Sequence, residues 1–322
     1  MTSSQEVVIH GKRLKLGNLD KVFYPATGFT KGQVLDYYLR VAPALLPHLR
    51  DRPLTLKRYP DGVEGPHFYE KNCPEHRPAW VKTAPVWSDQ NERTMQFCLV
   101  QDLATLAWAV NLADLEMHVP LHRAKDLDQP DSVVFDLDPG APAGLLECCQ
   151  VAVILQDTFE RLGLRSLVKT SGSKGLQLYL PLNTKGSYAQ TKAFARATAE
   201  ALAASQPRLA VSNMKKSLRG GKVLVDWSQN DPHKTTVCVY SLRAQQRPTV
   251  STPVAWEEVQ RCLAARDPAL LSFQAQDVLR RIEERGDLFA ALLALRQELP
   301  RFGQEKGGPS RGRRRSAHAP RD

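Results

Sequence analysis

No apolar run in this 322-residue chain approaches the roughly 18 residues needed to cross a bilayer as a helix, so a membrane-spanning protein is not expected. Residues Met1 to Glu6 lack the basic stretch followed by an apolar core that marks a secretory signal, and the expected compartment is the cytoplasm. Cysteine is sparse, with six residues at 73, 98, 148, 149, 238 and 262. In that compartment all six are expected to be reduced and mostly structural. Cys73 and His76 have C-x-x-H spacing, but no second C-x-x-C or H-x-x-H pair completes the ligand set of a structural zinc. There is no internal repeat, no G-x-x-x-x-G-K-[ST] phosphate loop, and no Ser-His-Asp order or Cys-His pair that demands acyl transfer.

What remains is an ordinary globular composition, 42% hydrophobic and 24% charged, which excludes wholesale disorder. The length allows one large domain or two modest ones. The net charge is +10, and a basic protein of this kind suits a polyanionic partner. Residues 301–322 hold seven Lys/Arg against Glu305 and Asp322, a local excess of +5. Their Gly-Gly-Pro-Ser and arginine-rich composition cannot pack a core. The expected organisation is a folded body over residues 1–300 and a flexible basic arm over 301–322.

Within the body, Lys31 to Leu49 repeats apolar residues at helical spacing, with Thr30 as an N-cap. Thr105 to Glu116 reads as a second, buried helix. Ser132 to Asp138 is a strand stopped by Pro139-Gly140. A helix is expected from Ala143 to Leu162. Ser166–Thr170 and Leu176–Leu180 read as strands joined by a Gly/Ser turn, and Tyr188 to Ala204 as a helix. Lys222–Trp227 and Thr236–Tyr240 read as two more strands, with helices dominant after Trp256. The class is α/β in the α+β sense, with mixed and antiparallel sheets flanked by helices.

Asp136 and Asp138 sit two apart on a strand and so point to one face. Two like charges held together favour a neutralising cation, and paired oxygen ligands suit Mg²⁺ or Mn²⁺. Without a cation they are two solvated carboxylates at a strand end. Asp226 ends a second apolar strand, and three carboxylates on neighbouring strands can hold two ions for phosphoryl transfer. Taken alone, Asp226 also fits a surface ion pair with an arginine. The turn Thr170-Ser171-Gly172-Ser173-Lys174-Gly175 offers backbone N–H groups, hydroxyls and a lysine to a phosphate, or is a plain hairpin turn. The loop Lys215–Lys222, carrying Arg219, suits a nucleic-acid backbone or a triphosphate, or is a solvated basic loop. Phe68-Tyr69 can stack on bases or fill the core. His118, in an apolar stretch, is ambiguous.

In order, the segments LDKVFYPATGFTKGQVLDYY, FYEKN, EMHVP, VVFDLDPG, TSGSKGL, SLRGGKVLVDWSQN and KTTVCVYSLRA resemble one family. It is the polymerase domain of bacterial ligase D, in the archaeo-eukaryotic primase superfamily, which serves non-homologous end joining. The resemblance covers about residues 7–298 and implies a primase-polymerase fold and a template-directed nucleotidyltransferase. It implies Asp136, Asp138 and Asp226 as metal-binding and catalytic residues, with two Mn²⁺ or Mg²⁺ ions. His118, Ser171, Ser173, Lys174, Gln229 and Arg243 would serve the incoming NTP or dNTP. Asn18, Lys21 and Lys31 would read a downstream 5′-phosphate of gapped DNA. Phe68 and Tyr69 would stack on DNA, and Arg219 would position the primer terminus from a mobile loop. The implied partners are DNA, a Ku-type end binder and a separate DNA ligase, at the nucleoid.

One departure is Gln177, where the family typically has His after Gly-Leu. No K-x-D-G ligase nucleophile occurs; Arg58-Tyr59-Pro60-Asp61-Gly62 has Tyr in the lysine position. Two other functions stay open: a metal-dependent nuclease or phosphatase on the same carboxylates, and a non-catalytic DNA-end binder.

Overall fold

The computed structural model of the chain describes residues 4–89 and 91–300; the expected basic arm, 301–322, lies outside the described residues. The chain opens with hairpins β1 (Ser4–Ile9)/β2 (Lys12–Gly17) and β3 (Val22–Tyr24)/β4 (Phe29–Thr30), then α1 (Lys31–Leu49). There follow β5 (Thr55–Arg58), β6 (Phe68–Glu70), β7 (Thr83–Ser88), β8 (Arg93–Cys98), α2 (Leu103–Asn111) and β9 (Asp114–Val119). Next come β10 (His122–Arg123), β11 (Asp126–Pro130), β12 (Ser132–Pro139), α3 (Leu145–Arg161), β13 (Leu167–Thr170), β14 (Leu176–Pro181) and α4 (Tyr188–Ser205). The rest is β15 (Ala210–Val211), β16 (Val223–Asp226), β17 (Thr236–Val237), β18 (Pro253–Val254), α5 (Trp256–Ala265), α6 (Ala275–Arg285) and α7 (Ala291–Ala294). Among the described residues, no helix is long and apolar enough to cross a membrane.

Two sheets organise these elements. A six-stranded sheet runs β15-β16-β12-β14-β13-β18, antiparallel except for the β15–β16 pair. A four-stranded antiparallel sheet runs β17-β9-β5-β6. The class expected from the sequence, mixed and antiparallel sheets flanked by helices, is the observed one. α1 begins at the expected residue because Thr30 makes a full capping box: its hydroxyl accepts from Gln33 N–H, and the Gln33 side chain accepts from Thr30 N–H.

Strand alternation divides the apolar residues of the large sheet between two cores. Val133, Phe135 and Leu137 of β12, Leu176, Leu178 and Leu180 of β14, and Val223 and Val225 of β16 bury against α3, α4 and α5. The intervening residues face the other way, toward the smaller sheet and the core that includes α1 and α2; Val134 and Tyr179 join that core. This second face carries Asp136, Asp138, Gln177 and Asp226, so the alternation that builds the core also delivers the polar residues to one place.

Three expectations need correction. The segment Thr105–Glu116 is not one helix: α2 stops at Asn111, Ala113 takes a left-handed φ of 65°, and Asp114 onward pairs in the small sheet as β9. The strand expected over Thr236–Tyr240 pairs only at Thr236 and Val237, and Tyr240 turns back with φ 65°. The cysteines are not all reduced: Cys73 and Cys98 form a disulfide with Cα atoms 5.1 Å apart. Its cause is non-local. Cys98 ends β8, and the loop after β6 is laid against β8 by Cys73 N–H donating to the Gln96 carbonyl and Gln96 N–H donating to Asn72 Oδ1.

The turn between β13 and β14 depends on close packing against β12. A Cβ at Gly175 would lie 1.9 Å from the Leu137 carbonyl oxygen. Gly175→Ala is therefore expected to cost about 3 kcal/mol, the upper part of the usual range for overpacking. Thermal unfolding beside Gly186→Ala, whose nearest outside neighbour is the flexible Gln190 Oε1 at 3.8 Å, checks this.

Candidate active site

The carboxylates are placed by register. Asp136 is directly opposite Asp226 on β16 and directly opposite Gln177 on β14, and Gln177 is directly opposite Lys169 on β13. Asp226, Asp136, Gln177 and Lys169 thus form one transverse row of the six-stranded sheet, with side chains on a common face. Asp138 is the next residue of β12 on that face. Burial, then Asp138 and Asp226, push the Asp136 carboxyl up to about 7, against the Gln177 amide and Lys169. Asp138 is raised by burial and Asp226, against Arg219 and Arg243. Asp226 is hydrogen-bonded locally: Oδ1 accepts from Ser228 N–H at 2.8 Å and Ser228 Oγ at 2.6 Å, and Oδ2 from Gln229 Nε2 at 3.1 Å.

Crowded, half-neutralised carboxylates are the donor set that a hard divalent cation stabilises. Among the described residues, no three His, Cys, Asp or Glu side chains converge as a ready-made cation cage. The backbone register brings the three Asp together, and their oxygens would close on the ion when it binds.

A cleft of about 620 Å³ opens over this row and is lined by Asp136, Asp138, Ser171, Ser173, Lys174, His118, Gln229, Arg243 and Tyr69. All six residues expected at the nucleotide site are therefore brought together. The Ser171 hydroxyl spends its acceptor capacity on the turn itself, taking Ser173 and Gly175 N–H at 3.2 and 3.1 Å. Arg243 is held on the far wall by donating to the Ser171 carbonyl. His118 and Arg243 share one anchor, Glu116, which the sequence reading missed. Its buried carboxylate takes His118 Nε2 at 3.1 Å, Lys57 Nζ at 3.1 Å and Ala244 N–H at 2.8 Å, with Arg243 Nε at 3.3 Å. Burial alone would raise its pKa; His118, Arg243 and the Ala244 N–H override that and hold it well below the carboxylate range. His118 is lowered by burial, with Glu116 opposing, which favours the neutral ring.

Arg219 is outside this wall, on the loop after β15. It is pinned near the end of β12: Gly140 N–H donates to the Lys222 carbonyl, Gly221 N–H to the Gly140 carbonyl, and a Cβ on Gly140 would lie 2.1 Å from the Arg219 carbonyl oxygen.

A second cluster lies beyond β6. Lys31 is buried at the start of α1 and donates from Nζ to the Gly17 carbonyl at 2.7 Å and to Asn111 Oδ1 at 2.9 Å. Burial, Lys21 and Arg58 lower its pKa to about 8. Lys31 N–H donates to the Lys21 carbonyl and Lys21 N–H to the Asn18 carbonyl, so Asn18, Lys21 and Lys31 are drawn together as expected. The first-turn N–H groups of α1 are already taken, so an anion here meets side-chain cations. Arg58, which the sequence reading did not single out, adds a third, stacked 5.2 Å from the centre of the Phe68 ring. Phe68 and Tyr69 are 45% and 56% exposed. They point to opposite sides of β6: Phe68 toward Arg58, Tyr69 into the cleft beside His118 at 5.9 Å.

A row of strand-borne carboxylates facing a cleft walled by lysine, arginine and a neutral histidine defines a phosphoryl-transfer site of the nucleotidyltransferase kind. The comparisons with known proteins agree. Residues 30–289 match the family model of the LigD primase-polymerase domain. The chain is 41% identical over 283 residues to the multifunctional non-homologous end joining protein LigD of Mycolicibacterium smegmatis, covering 87% of this chain and 36% of that protein. It is 33% identical over 286 residues to the bifunctional LigD of Bacillus subtilis, covering 87% and 45%. Among solved structures, the polymerase domain of Mycobacterium tuberculosis ligase D in complex with DNA superposes with a TM-score of 0.81 at 40% identity, covering 88% of this chain and 98% of that one. The chain belongs to the LigD primase-polymerase family of nucleotidyltransferases, and it spans less than half the length of these two curated relatives.

The raised Asp136 carboxyl has a thermodynamic sign. Its folded pKa of about 7 exceeds the ordinary carboxylate value, so the unfolded chain gives up this proton first as pH rises. The repulsion therefore destabilises the metal-free protein increasingly from about pH 4, and fully above about 7. Asp136→Asn is expected to raise the melting temperature of metal-free protein at pH 8 and to have little effect at pH 4; a pH series of thermal melts in chelator checks this.

Proposed function

We propose that this chain is a template-directed polymerase of DNA end joining that adds ribo- or deoxyribonucleotides to a primer 3′-hydroxyl in short gaps. The observation that carries the reading is the carboxylate cluster: Asp136 and Asp138 line one cleft with the cations Lys174 and Arg243, and Asp226 stands directly opposite Asp136 on the neighbouring strand. Asp136, Asp138 and Asp226 would hold two divalent ions, Mn²⁺ or Mg²⁺, which supply charge neutralisation for the attacking and leaving oxygens. Lys174 and Arg243 bind the triphosphate by charge-assisted hydrogen bonds. His118, pushed toward the neutral ring by burial and fixed in place by Glu116, orients the nucleotide, and Gln229 and the Ser171–Ser173 turn complete the pocket. Tyr69 offers a stacking face in the cleft, and Phe68 one beside the lysine cluster. Lys21 and Lys31, with Asn18 and Arg58, bind the 5′-phosphate of the downstream strand, and Arg219 holds the primer end.

The matched structure holds DNA and the relatives are end-joining proteins, which supports DNA as the substrate. In this reading residues 1–300 are the catalytic body, working at the nucleoid in the cytoplasm with a Ku-type end binder and a DNA ligase.

Primer extension on a gapped duplex with a downstream 5′-phosphate tests the reading. Templated addition by the wild type and its loss by at least a hundredfold in Asp138→Ala is the expected result; tight DNA binding with no addition by either protein would leave only an end-binding role.

The 5′-phosphate reading has its own pH signature. Lys31, lowered to about 8, is a cation below that value and loses its charge above it. The preference for 5′-phosphate over 5′-hydroxyl gaps is expected to fall between pH 7 and pH 9, and to persist at pH 9 in Lys31→Arg, whose guanidinium stays charged. Competition binding of the two gapped duplexes across that range measures it.

A further inference from the structure

We propose that Lys169 is a positioning residue for the metal-binding row: through Gln177 it fixes an amide donor against Asp136 and so sets that carboxylate for a divalent cation. The inference rests on the reading of Asp136 as a metal ligand given above. Lys169 lies on the same row of the sheet as Asp136, two strands away, and is fully buried without lining the cleft. Its Nζ donates to Gln177 Oε1 at 2.6 Å, to Ser251 Oγ at 2.6 Å and to the Val237 carbonyl at 3.2 Å. Ser251 has spent its own proton on the Thr170 carbonyl at 3.0 Å, so it meets Lys169 as an acceptor. Three acceptors take up the three protons of an ammonium.

The consequence falls on Gln177. The oxygen of the amide faces Lys169, as the hydrogen bond to its Nζ shows, so the nitrogen is the edge left for Asp136 on the opposing strand. Without Lys169 the amide is free to present either edge, and an oxygen facing Asp136 would repel it. The strand register sets Gln177 directly opposite Asp136 on the neighbouring strand, which puts Asp136 within reach of the amide donor. A neutral imidazole at position 177 would do the same work, accepting from Lys169 on one nitrogen and donating to Asp136 from the other. Gln and His are then two solutions to one requirement: a side chain with an acceptor at one end and a donor at the other. Lys169 acts on the metal ligand in the way that hydrogen-bond partners of ligating groups tune metal sites elsewhere.

The test is Mn²⁺ titration of the full chain without DNA or nucleotide, reading free Mn²⁺ by electron paramagnetic resonance. Lys169→Met and Gln177→Leu are each expected to weaken Mn²⁺ binding on the order of tenfold. Lys169→Met/Gln177→Leu is expected to be no weaker than Gln177→Leu alone, because the positioning runs through the amide and the direct charge effect of Lys169 on Asp136 is offset by its repulsion of the cation. Gln177→His is expected to stay within about threefold of wild type, on the same principle that the relay needs one donor and one acceptor. Unchanged affinity in Lys169→Met, or further weakening in the double variant relative to Gln177→Leu, would overturn the proposal. Should Lys169→Met alone fail to fold, the double variant still answers, since it removes the buried ammonium together with its main acceptor. Asp138→Ala in the same titration separates the two levels: wild-type Mn²⁺ affinity there would sink the metal reading itself, whatever Lys169 does.

Discussion

Two aspartates face each other across one rung of a buried sheet, and most of the surrounding polar structure answers that constraint. Directly opposed like charges on neighbouring strands are destabilising, and burial sharpens the repulsion. Each neighbour of the row relieves it from a different direction. Ser228 and Gln229 wrap the Asp226 carboxylate, Arg219 and Arg243 act on Asp138, and Gln177 backed by Lys169 acts on Asp136. The relief is incomplete, which leaves Asp136 and Asp138 above the ordinary carboxylate range and receptive to an added cation.

Glu116 shows the opposite treatment of a buried carboxylate in the same protein. It is saturated by donors and sits far below the carboxylate range. A saturated carboxylate has nothing left to bind, so its work is mechanical: it holds His118 and Arg243 against one wall. The two environments push like groups apart, and that separation suits them to different work: Glu116 anchors its neighbours, and the aspartates are the groups proposed as cation ligands. The cost of keeping the aspartates under-neutralised is borne by the two apolar cores on either side of the large sheet, a common exchange of stability for function.

The parts of the fold that were legible in the sequence are those set by neighbours along the chain. Thr30, Gln33 and the apolar spacing of Lys31–Leu49 specify α1 locally. The alternation of Ser132–Asp138 does the same for β12 and for the shared face of Asp136 and Asp138. Glu116 was hidden because Thr105–Glu116 looks helical until Ala113 breaks it; once Asp114–Val119 is a strand, Glu116 and His118 fall two apart on one face. Lys169 and Gln177 carry no local signal at all, since their meaning comes from the register of three strands. Cys73 and Cys98 are likewise joined by the contact between the β6 loop and β8, which no spacing rule announces. The tally of cations at the lysine cluster was short by Arg58 for the same reason.

The transverse row has a consequence for how the sheet assembles. A slip of one residue along β12 would carry Asp136 and Asp138 into the apolar layer beneath α3 and α4, and expose Phe135 and Leu137 in their place. The neighbouring strands are marked in the same way, by Asp226 on β16, Gln177 on β14 and Lys169 on β13. Every one-residue slip therefore buries at least one unpartnered polar or charged group among aliphatic side chains. The residues that give the site its chemistry double as alignment marks, so that a strand able to pair in several registers on apolar content alone has one low-energy alignment. Selection for activity and selection for a uniquely folded sheet then act on the same five side chains.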